Sequence, residues 1–302
     1  MNRRTFIKNA ALVAAAAAAG HDRATAQVAG PTGNQIPSPR GNESDLVDSN
    51  VYLSRWPFRR LPCDETPRLA RLLRENGVSR AWAGSFDALL HRDISAVNSR
   101  LADECRAEGT GLFSPFGSVN PLLPDWEEDL RRCHEVHGMR GIRLHPDFHG
   151  YSLDDSRFAR LADLAAARGL VIQIALGIED PRTQPPTAIY PSPHPGPLVE
   201  LLPRIPNAKV VLLNFFRSFG YNRVLLVRLA NLPQVSFDMA TVEGVDAVRG
   251  VLESVGSIRL LFGSLAPYYN FDSARLKMQE SELSPQQIAA IRHGHATSLL
   301  SS

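Results

Sequence analysis

The residues best suited to chemistry are polar side chains that interrupt apolar runs of the sequence. His145 and Asp238 are titratable, and either could act as a general base that activates water. The neutral side chains of Asn50, Tyr52 and Asn214 could hydrogen-bond a carbonyl oxygen as it gains negative charge. These residue types could support general-base chemistry on the carbonyl group of a small molecule.

Further polar residues would bind a substrate rather than react with it. Arg143 or Arg55 could clamp a substrate carboxylate in bidentate fashion, and Gln173 adds a neutral donor and acceptor. The alternative for Arg143 is structural, because a buried guanidinium needs a partner and Asp238 or Asp48 is the natural one. We expect this internal ion pair, and both roles for Arg143 stay open.

Two loop segments are expected to border the site. In SRWPFRR (54–60), Trp56 and Phe58 either stack on a ring or sugar face or simply pack the entrance. The Pro-rich segment 181–197 is too long for an ordinary loop between a strand and a helix, and it is typical of a lid.

A histidine cluster raises the question of a metal ion. His145, Asp147 and His149 follow the fourth apolar run, and His194 lies in the Pro-rich segment. A shifted zinc or manganese site on His145, His149, His194 and Asp238 is one interpretation. In the other, His149 and His194 are ordinary loop residues and Asp147 caps a turn. We favour the second interpretation, so no cofactor is expected.

The elements that must position these residues follow from hydrophobic periodicity. Eight short apolar runs predict strands at 46–53, 78–85, 112–119, 140–146, 170–176, 209–216, 235–241 and 258–264. Amphipathic stretches between them predict helices, most clearly at 93–109, 155–169 and 284–300. Asp155 and Ser284 are expected N-caps, and Gly169 is an expected helix stop. This alternation predicts a single-domain (β/α)₈ TIM barrel, and no Gly-rich phosphate turn supports a doubly wound sheet.

Side chains alternate along a strand, so polar residues in these runs identify the positions that point into the barrel. The expected inward positions are Asp48, Asn50, Tyr52, Arg143, His145, Gln173, Ala175, Asn214, Ser236, Asp238, Gly263 and Leu265. Burying so many polar groups without partners is costly, so they must bind one another or a ligand.

Several motifs resemble the amidohydrolase-related barrels. GIRLHPDFHGYSLDD (141–155), RLLFGS (259–264) and a closing helix that ends in ATSLL carry the resemblance, which extends over 46–300. The opening DSNVYLSRWPFRRLP (48–62) resembles a less characterised branch of the family. The family includes metal-dependent hydrolases, sugar lactonases and aromatic-acid decarboxylases, so the resemblance implies a barrel enzyme.

The resemblance also identifies where the family's functional residues should lie. A typical member has His-x-His on strand one, a histidine near the ends of strands five and six, and an aspartate after Phe-Gly-Ser on strand eight. Here those places hold Asn50 and Tyr52, Gln173 or Ala175, Asn214, and Leu265. Zinc sites need three or four His, Cys or carboxylate ligands, so the family's metal site is not expected.

The N-terminus predicts export. NRRTFIK (2–8), the apolar run 9–20 and ATAQ (24–27) are typical of a twin-arginine signal peptide, residues 1–26, cleaved before Gln27. Cleavage removes four basic residues and one acidic residue, so the net charge changes from +2 to −1. Residues 27–45 are predicted to be a flexible linker before the barrel, 46–302. We expect a periplasmic protein that meets the export machinery and a small-molecule substrate, with no nucleic-acid or membrane partner.

Cysteine usage leaves one point open. Cys105 and Cys133 fall in successive predicted helices, and an oxidising compartment would permit a bridge between them. The alternative, which we favour, is two half-buried free thiols.

Two functional interpretations therefore stay open. In the first, which the family resemblance implies, the chain is an exported hydrolase that acts without a metal on an ester, lactone or amide bond of a small carbohydrate or aromatic acid. In the second, it is a catalytically degenerate barrel that binds a small ligand in the periplasm, since a fold alone does not establish an activity.

Overall fold

Eight parallel strands form the barrel in a computed structural model that describes residues 45–301 except Gly109, Pro181, Thr187 and Ser257. The strands neighbour one another in chain order, β1 to β8. They are β1 Leu46–Leu53, β2 Val78–Ser85, β3 Phe113–Gly117, β4 Gly141–Leu144, β5 Val171–Ala175, β6 Lys209–Leu213, β7 Val235–Asp238 and β8 Leu260–Leu261. This order confirms the predicted (β/α)₈ barrel.

Helices follow the strands and cover the outside of the barrel. In chain order they are α1 Thr66–Glu75, α2 Ile94–Ala107, α3 Trp126–Glu135, α4 Pro146–His149, α5 Ser156–Ala167, α6 Leu198–Leu201, α7 Phe215–Phe219, α8 Arg223–Ala230, α9 Ala247–Ser254, α10 Phe271–Glu280, α11 Pro285–Ala289 and α12 His295–Ser301. Short 3₁₀ turns lie at Phe86–Leu89 and Leu202–Arg204, and a π-helical stretch, Ala290–Gly294, joins α11 to α12.

The barrel closes through backbone hydrogen bonds between β1 and the chain after β8. The amide of Ser49 donates to the carbonyl of Phe262 at 2.9 Å, and that of Tyr52 donates to Ala266 at 2.9 Å. The closure brings the end of β8 against β1, so residues from both ends of the chain meet in the barrel centre.

Helix α5 illustrates why these elements form. Its buried residues include Phe158, Leu161 and Ala165, which recur at helical spacing and pack on the barrel. The predicted signals at its ends are confirmed, because the Asp155 side chain accepts from the amide of Arg157 and Gly169 has a φ of +67°. The predicted Ser284 N-cap of α11 is confirmed as well, within a capping box.

The first two strands have the predicted bounds, whereas the other six end one to three residues before the predicted limit. The chain leaves β6 at Asn214, which has a φ of +61°, and Leu265 after β8 has a φ of +57°. Non-glycine residues rarely adopt this left-handed conformation, and apolar runs carry no signal for it. The two turns aim the ends of these strands into the barrel mouth.

Several predictions concern other parts of the chain. The predicted signal peptide (1–26) and all but the last residue of the predicted linker (27–45) lie outside the described residues and stay predictions. Among the described helices, none has the length and apolar character needed to cross a bilayer. Cys105 and Cys133 are free thiols, and both are buried rather than half-buried.

Candidate functional site

A triangle of polar side chains occupies the barrel centre. The Nδ2 atom of Asn50, on β1, donates to Asp238 Oδ2 at 2.7 Å and to Asn214 Oδ1 at 3.1 Å. The backbone amide of Asn214 donates to the other carboxylate oxygen of Asp238 at 2.7 Å, a contact made possible by the left-handed turn. All three residues are fully buried, and burial raises the pKa of Asp238.

A second buried carboxylate lies beside the triangle. Oδ1 of Asp48 accepts from the amides of Asn50 at 3.1 Å and Ser264 at 3.0 Å. Burial raises the pKa of Asp48 to about 6, although these hydrogen bonds oppose the shift. Gly263 lets the strands approach, because a Cβ atom there would lie 2.7 Å from Asp238 Oδ2.

Arg143 is held by carbonyl oxygens, so the predicted ion pair with Asp238 or Asp48 is wrong. Its guanidinium donates to the carbonyls of Val51 (2.6 Å), Trp82 (2.9 Å) and Ser49 (3.3 Å), and its Nε donates to Oε1 of Gln173 (2.8 Å). The register of β1 against β2 shifts between Asp48 and Val51, which breaks the regular ladder where these carbonyls face the barrel interior.

Two neighbours make room for the Arg143 side chain and cover it. A Cβ atom on Gly84 would lie 2.7 Å from Arg143 Cδ, so glycine is required on this strand. The guanidinium carbon lies 4.4 Å from the centre of the Tyr52 ring, a cation–π contact. Gln173 completes the set, because its Nε2 donates to Ser49 O at 2.7 Å. Arg143 and Gln173 are fully buried and satisfy one another, so neither is free to hold a substrate.

His145 and Tyr52 form a separate pair above the guanidinium. The Tyr52 hydroxyl lies 3.1 Å from His145 Nε2, and both residues are fully buried. Burial holds the pKa of His145 well below its usual value and raises that of Tyr52 to about 12, so both are neutral at pH 7. His145 Nδ1 has no partner among the described residues.

The other candidates after β4 do not assemble a metal site. His149 Nε2 hydrogen-bonds the carbonyl of Ala88 at 2.8 Å, whereas His194 is exposed and its Nδ1 accepts from the amide of Gly196. Within the described ranges, no three His, Cys, Asp or Glu side chains are grouped so that they could hold a metal ion. The four residues of the shifted site, His145, His149, His194 and Asp238, are not grouped in this way. Asp147 does cap locally, on the amide of Phe148, and burial raises its pKa to about 7.

A layer of apolar side chains separates the polar centre from solvent. Tyr52 stacks on Phe86 with ring centroids 4.5 Å apart, and Trp56 packs on Phe86 edge to face at 5.2 Å. Leu265 and Ile178 are buried in the same cluster. Leu265 therefore fills the mouth with hydrocarbon at the position where the family resemblance implies an aspartate.

Aromatic residues, all half-buried except the buried Trp56, form the outer surface of this mouth, and we call Trp56, Phe58, Phe148, Tyr190 and Tyr268 the mouth cluster. Phe148 and Tyr190 stack with centroids 4.0 Å apart, and Trp56 meets Tyr268 edge to face at 5.0 Å. Tyr190 belongs to the segment 181–197, so that segment does reach the barrel mouth as predicted for a lid.

A charged network at the mouth was missed by sequence reasoning. Glu179 is 6% exposed and accepts from Arg59 at 3.0 Å and from the Tyr268 hydroxyl at 3.2 Å. The one available signal was an acidic residue four positions after the apolar end of β5. Arg55, which was predicted to bind substrate, is exposed and lies 4.0 Å from Glu65, outside the mouth cluster.

The residues at the barrel centre do not fit a divalent metal ion. The Asn50 amide donates its hydrogen atoms to the oxygens of Asp238 and Asn214. A cation between these residues would need the lone pairs of those oxygens, which the Asn50 amide already occupies. Nε2 of His145 is engaged by Tyr52, and Leu265 has no donor atom. Metal ligands must present lone pairs to a shared point, whereas Asn50 Nδ2 presents N–H groups and Leu265 presents hydrocarbon there.

Comparisons with known proteins agree with the fold. A family profile described as Amidohydrolase matches residues 55–301. Comparison with curated proteins gave no match.

Three solved structures illustrate the structural similarity. A dihydroxybenzoic acid decarboxylase from a Polaromonas species, with bound manganese and 2-nitroresorcinol, is 14% identical with a TM-score of 0.64, covering 85% of this chain and 97% of its own. A 5-carboxyvanillate decarboxylase variant from Novosphingobium aromaticivorans, with manganese and a nitrobenzoic acid, is 16% identical with a TM-score of 0.65, covering 87% and 99%. A 2,6-dihydroxybenzoate decarboxylase from Rhizobium is 14% identical with a TM-score of 0.64, covering 85% and 98%. At these sequence identities the structural similarity establishes the fold but does not establish an activity.

Proposed function

Because this chain belongs to the amidohydrolase family, we propose that it is a member of that family which binds a small aromatic compound at the barrel mouth without transforming it. The observation that carries the proposal is the layer of Tyr52, Phe86, Trp56 and Leu265 that buries the polar centre beneath an aromatic surface.

The absence of turnover follows from how the candidate catalytic groups are engaged. Asp238 accepts from Asn50 and from the amide of Asn214, and His145 Nε2 is hydrogen-bonded to Tyr52. A general base must reach a substrate proton or a water, and His145 and Asp238 are both fully buried. Metal-free hydrolysis on His145 or Asp238 is therefore the less favoured interpretation.

An aromatic ligand is favoured by the way the mouth is filled. Tyr190 reaches in from a long Pro-rich segment and stacks on Phe148, so a ring of similar size could take its place. Beside it, Trp56 is 2% exposed, and its Nε1 finds no acceptor among the described residues. A ligand with an aromatic ring and a carboxylate or phenol oxygen would satisfy both features.

The ligands of the similar structures are consistent with this class. Two of those decarboxylases hold aromatic molecules, 2-nitroresorcinol and a nitrobenzoic acid. In this chain the ring would sit on the mouth cluster, above the layer of Tyr52 and Leu265. Export to the periplasm through the twin-arginine machinery is part of the proposal and rests on residues 2–27 alone.

The test is calorimetric titration of the mature protein with 2,6-dihydroxybenzoate, combined with an assay for its disappearance. We expect saturable binding without turnover. Replacing Tyr190→Ala should tighten binding by about three- to tenfold, because the competing ring is removed, and Phe148→Ala should weaken it by a similar factor. Tyr221→Ala is the matched control, since Tyr221 is 95% exposed and outside the mouth cluster.

Two results would contradict the proposal. The first is the lack of saturable binding, or an affinity that is unchanged in both Tyr190→Ala and Phe148→Ala. Either outcome would show that there is no aromatic site at the mouth. The second is consumption of 2,6-dihydroxybenzoate by the parent protein but not by His145→Ala. That outcome would show that the protein is an enzyme that uses His145.

A further inference from the structure

A cavity lies at the end of the barrel opposite the mouth, where the strands begin. It has a volume of about 470 Å³, and its lining includes Val47, Trp82, Arg80, Arg140 and Leu300. These residues belong to the start of β1, to β2, to the turn before β4 and to α12, which crosses this end of the barrel. The cavity is therefore separated from the mouth by the whole polar centre.

An unpartnered donor lies in the wall of this cavity. Trp82 is fully buried, and its indole Nε1 has no acceptor among the described residues. One face of the indole is covered by Phe116, with ring centroids 4.8 Å apart. An indole N–H can only donate, so whatever completes this site must bring an acceptor oxygen or nitrogen.

The charged residues of the cavity lining also favour a ligand that brings acceptor atoms. Arg80 is exposed, and in the part of the chain that the structure describes it has no ion-pair partner. Arg140 donates one hydrogen bond to the carbonyl of Leu300, which leaves further guanidinium N–H groups. Burial and the Arg140 charge both lower the pKa of neighbouring Lys209. Asp45 is the one carboxylate in the described lining, and it is exposed.

We propose that this cavity binds a small organic anion, a carboxylate on a short apolar body. The carboxylate would accept hydrogen bonds from Arg80, Arg140 and the Trp82 indole, and the apolar body would lie against Val47 and Leu300. A guanidinium group suits a carboxylate because it can donate to both oxygens in bidentate fashion. The inference is independent of the aromatic site at the mouth, which shares no residue with this cavity.

The experiment is a titration of the full mature chain with hexanoate, in which binding is monitored by calorimetry and by tryptophan fluorescence. We expect saturable binding with a change in indole emission. Arg80→Gln should weaken binding by about tenfold or more, because a hydrogen bond to a charged group is lost. Trp82→Phe should weaken it by about fivefold and remove the fluorescence change.

Controls separate this site from the mouth and from a plain anion site. Arg59→Gln, at the mouth, should leave hexanoate binding unchanged. Inorganic phosphate should bind at least tenfold more weakly than hexanoate, because it has no apolar body to bury. Arg80 is exposed, so Arg80→Gln keeps the fold and its result can be read even if Trp82→Phe is unstable.

The proposal is overturned if hexanoate does not saturate, if Arg80→Gln binds as tightly as the parent, or if Arg59→Gln is the variant that loses binding. Equal affinity for phosphate would overturn the assignment to a carboxylate with an apolar body.

Discussion

Replacing Arg143→Leu is expected to lower the free energy of unfolding by about 3–5 kcal/mol, roughly 10 °C in Tm. The guanidinium satisfies three strand carbonyls and Gln173 in a region from which water is excluded. Leucine would remove the donor from Gln173 Oε1 and from the carbonyls of Val51 and Trp82, and each unpaired buried acceptor is costly. The Ser49 carbonyl would keep only its bond from Gln173 Nε2. The cation–π contact with Tyr52 would be lost as well.

Urea unfolding followed by circular dichroism measures this effect, with Arg160→Leu as the matched control on an exposed helix position. Arg160 lies 3.5 Å from Glu127 in a surface pair, so its replacement should change stability by no more than about 1 kcal/mol. Arg143→Lys should also be strongly destabilised, because an ammonium group cannot reach four acceptors spread around the barrel. Equal stability of the Arg143 and Arg160 variants would mean that Arg143 is not a structural centre.

The second large effect is a pH dependence of stability that comes from Asp48. Burial raises the pKa of this carboxyl from 3.8 to about 6 in the folded protein. The folded state therefore binds the proton more tightly than the unfolded state, so the contribution of Asp48 is greatest below pH 4 and is lost as the pH rises through 6. A shift of this size corresponds to about 3 kcal/mol.

The comparison of the parent with Asp48→Asn isolates this contribution, because all other titrating groups are shared. Unfolding free energies measured from pH 4 to pH 7.5 should move in favour of Asp48→Asn by about 2.5 kcal/mol. His145, whose pKa is lowered by burial, destabilises both proteins at low pH and cancels in the difference. Asp163→Asn, on the exposed side of α5, should run parallel to the parent. Parallel curves for Asp48→Asn would mean that Asp48 ionises as it does in water.

Much of the fold could be predicted from the sequence, because hydrophobic periodicity and capping residues are local signals. The strand order, the Asp155 and Ser284 caps and the stop at Gly169 all follow from such signals. The ends of the strands could not be predicted, because the left-handed turns at Asn214 and Leu265 depend on contacts across the barrel.

The polar centre could be predicted in composition but not in its pairing. Alternation along the strands identified the inward polar residues, yet it carries no information about which of them meet. The expected partner of Arg143 was a carboxylate, whereas the irregular register of β1 supplies backbone carbonyls instead. Backbone groups are not visible in a pattern of side chains, so this solution required the structure.

The arrangement of side chains at the barrel mouth could not be predicted from the sequence either. Glu179 and Tyr190 come from the long loop after β5 and Tyr268 comes from the segment after β8, and nothing in their spacing indicates that they meet at the barrel mouth. Their assembly explains why Trp56 and Phe58 pack the entrance, one of the two interpretations that the sequence left open.

The central claim is that a hydrogen-bonded polar network takes the place of the family's metal site. It is tested most directly by elemental analysis of the mature protein, purified without chelator and dialysed against manganese or zinc. The account predicts well under one equivalent of either metal, with the same content in Asp238→Asn. One equivalent that is retained by the parent and lost in Asp238→Asn would contradict it, since Asp238 would then be a ligand rather than the acceptor of Asn50.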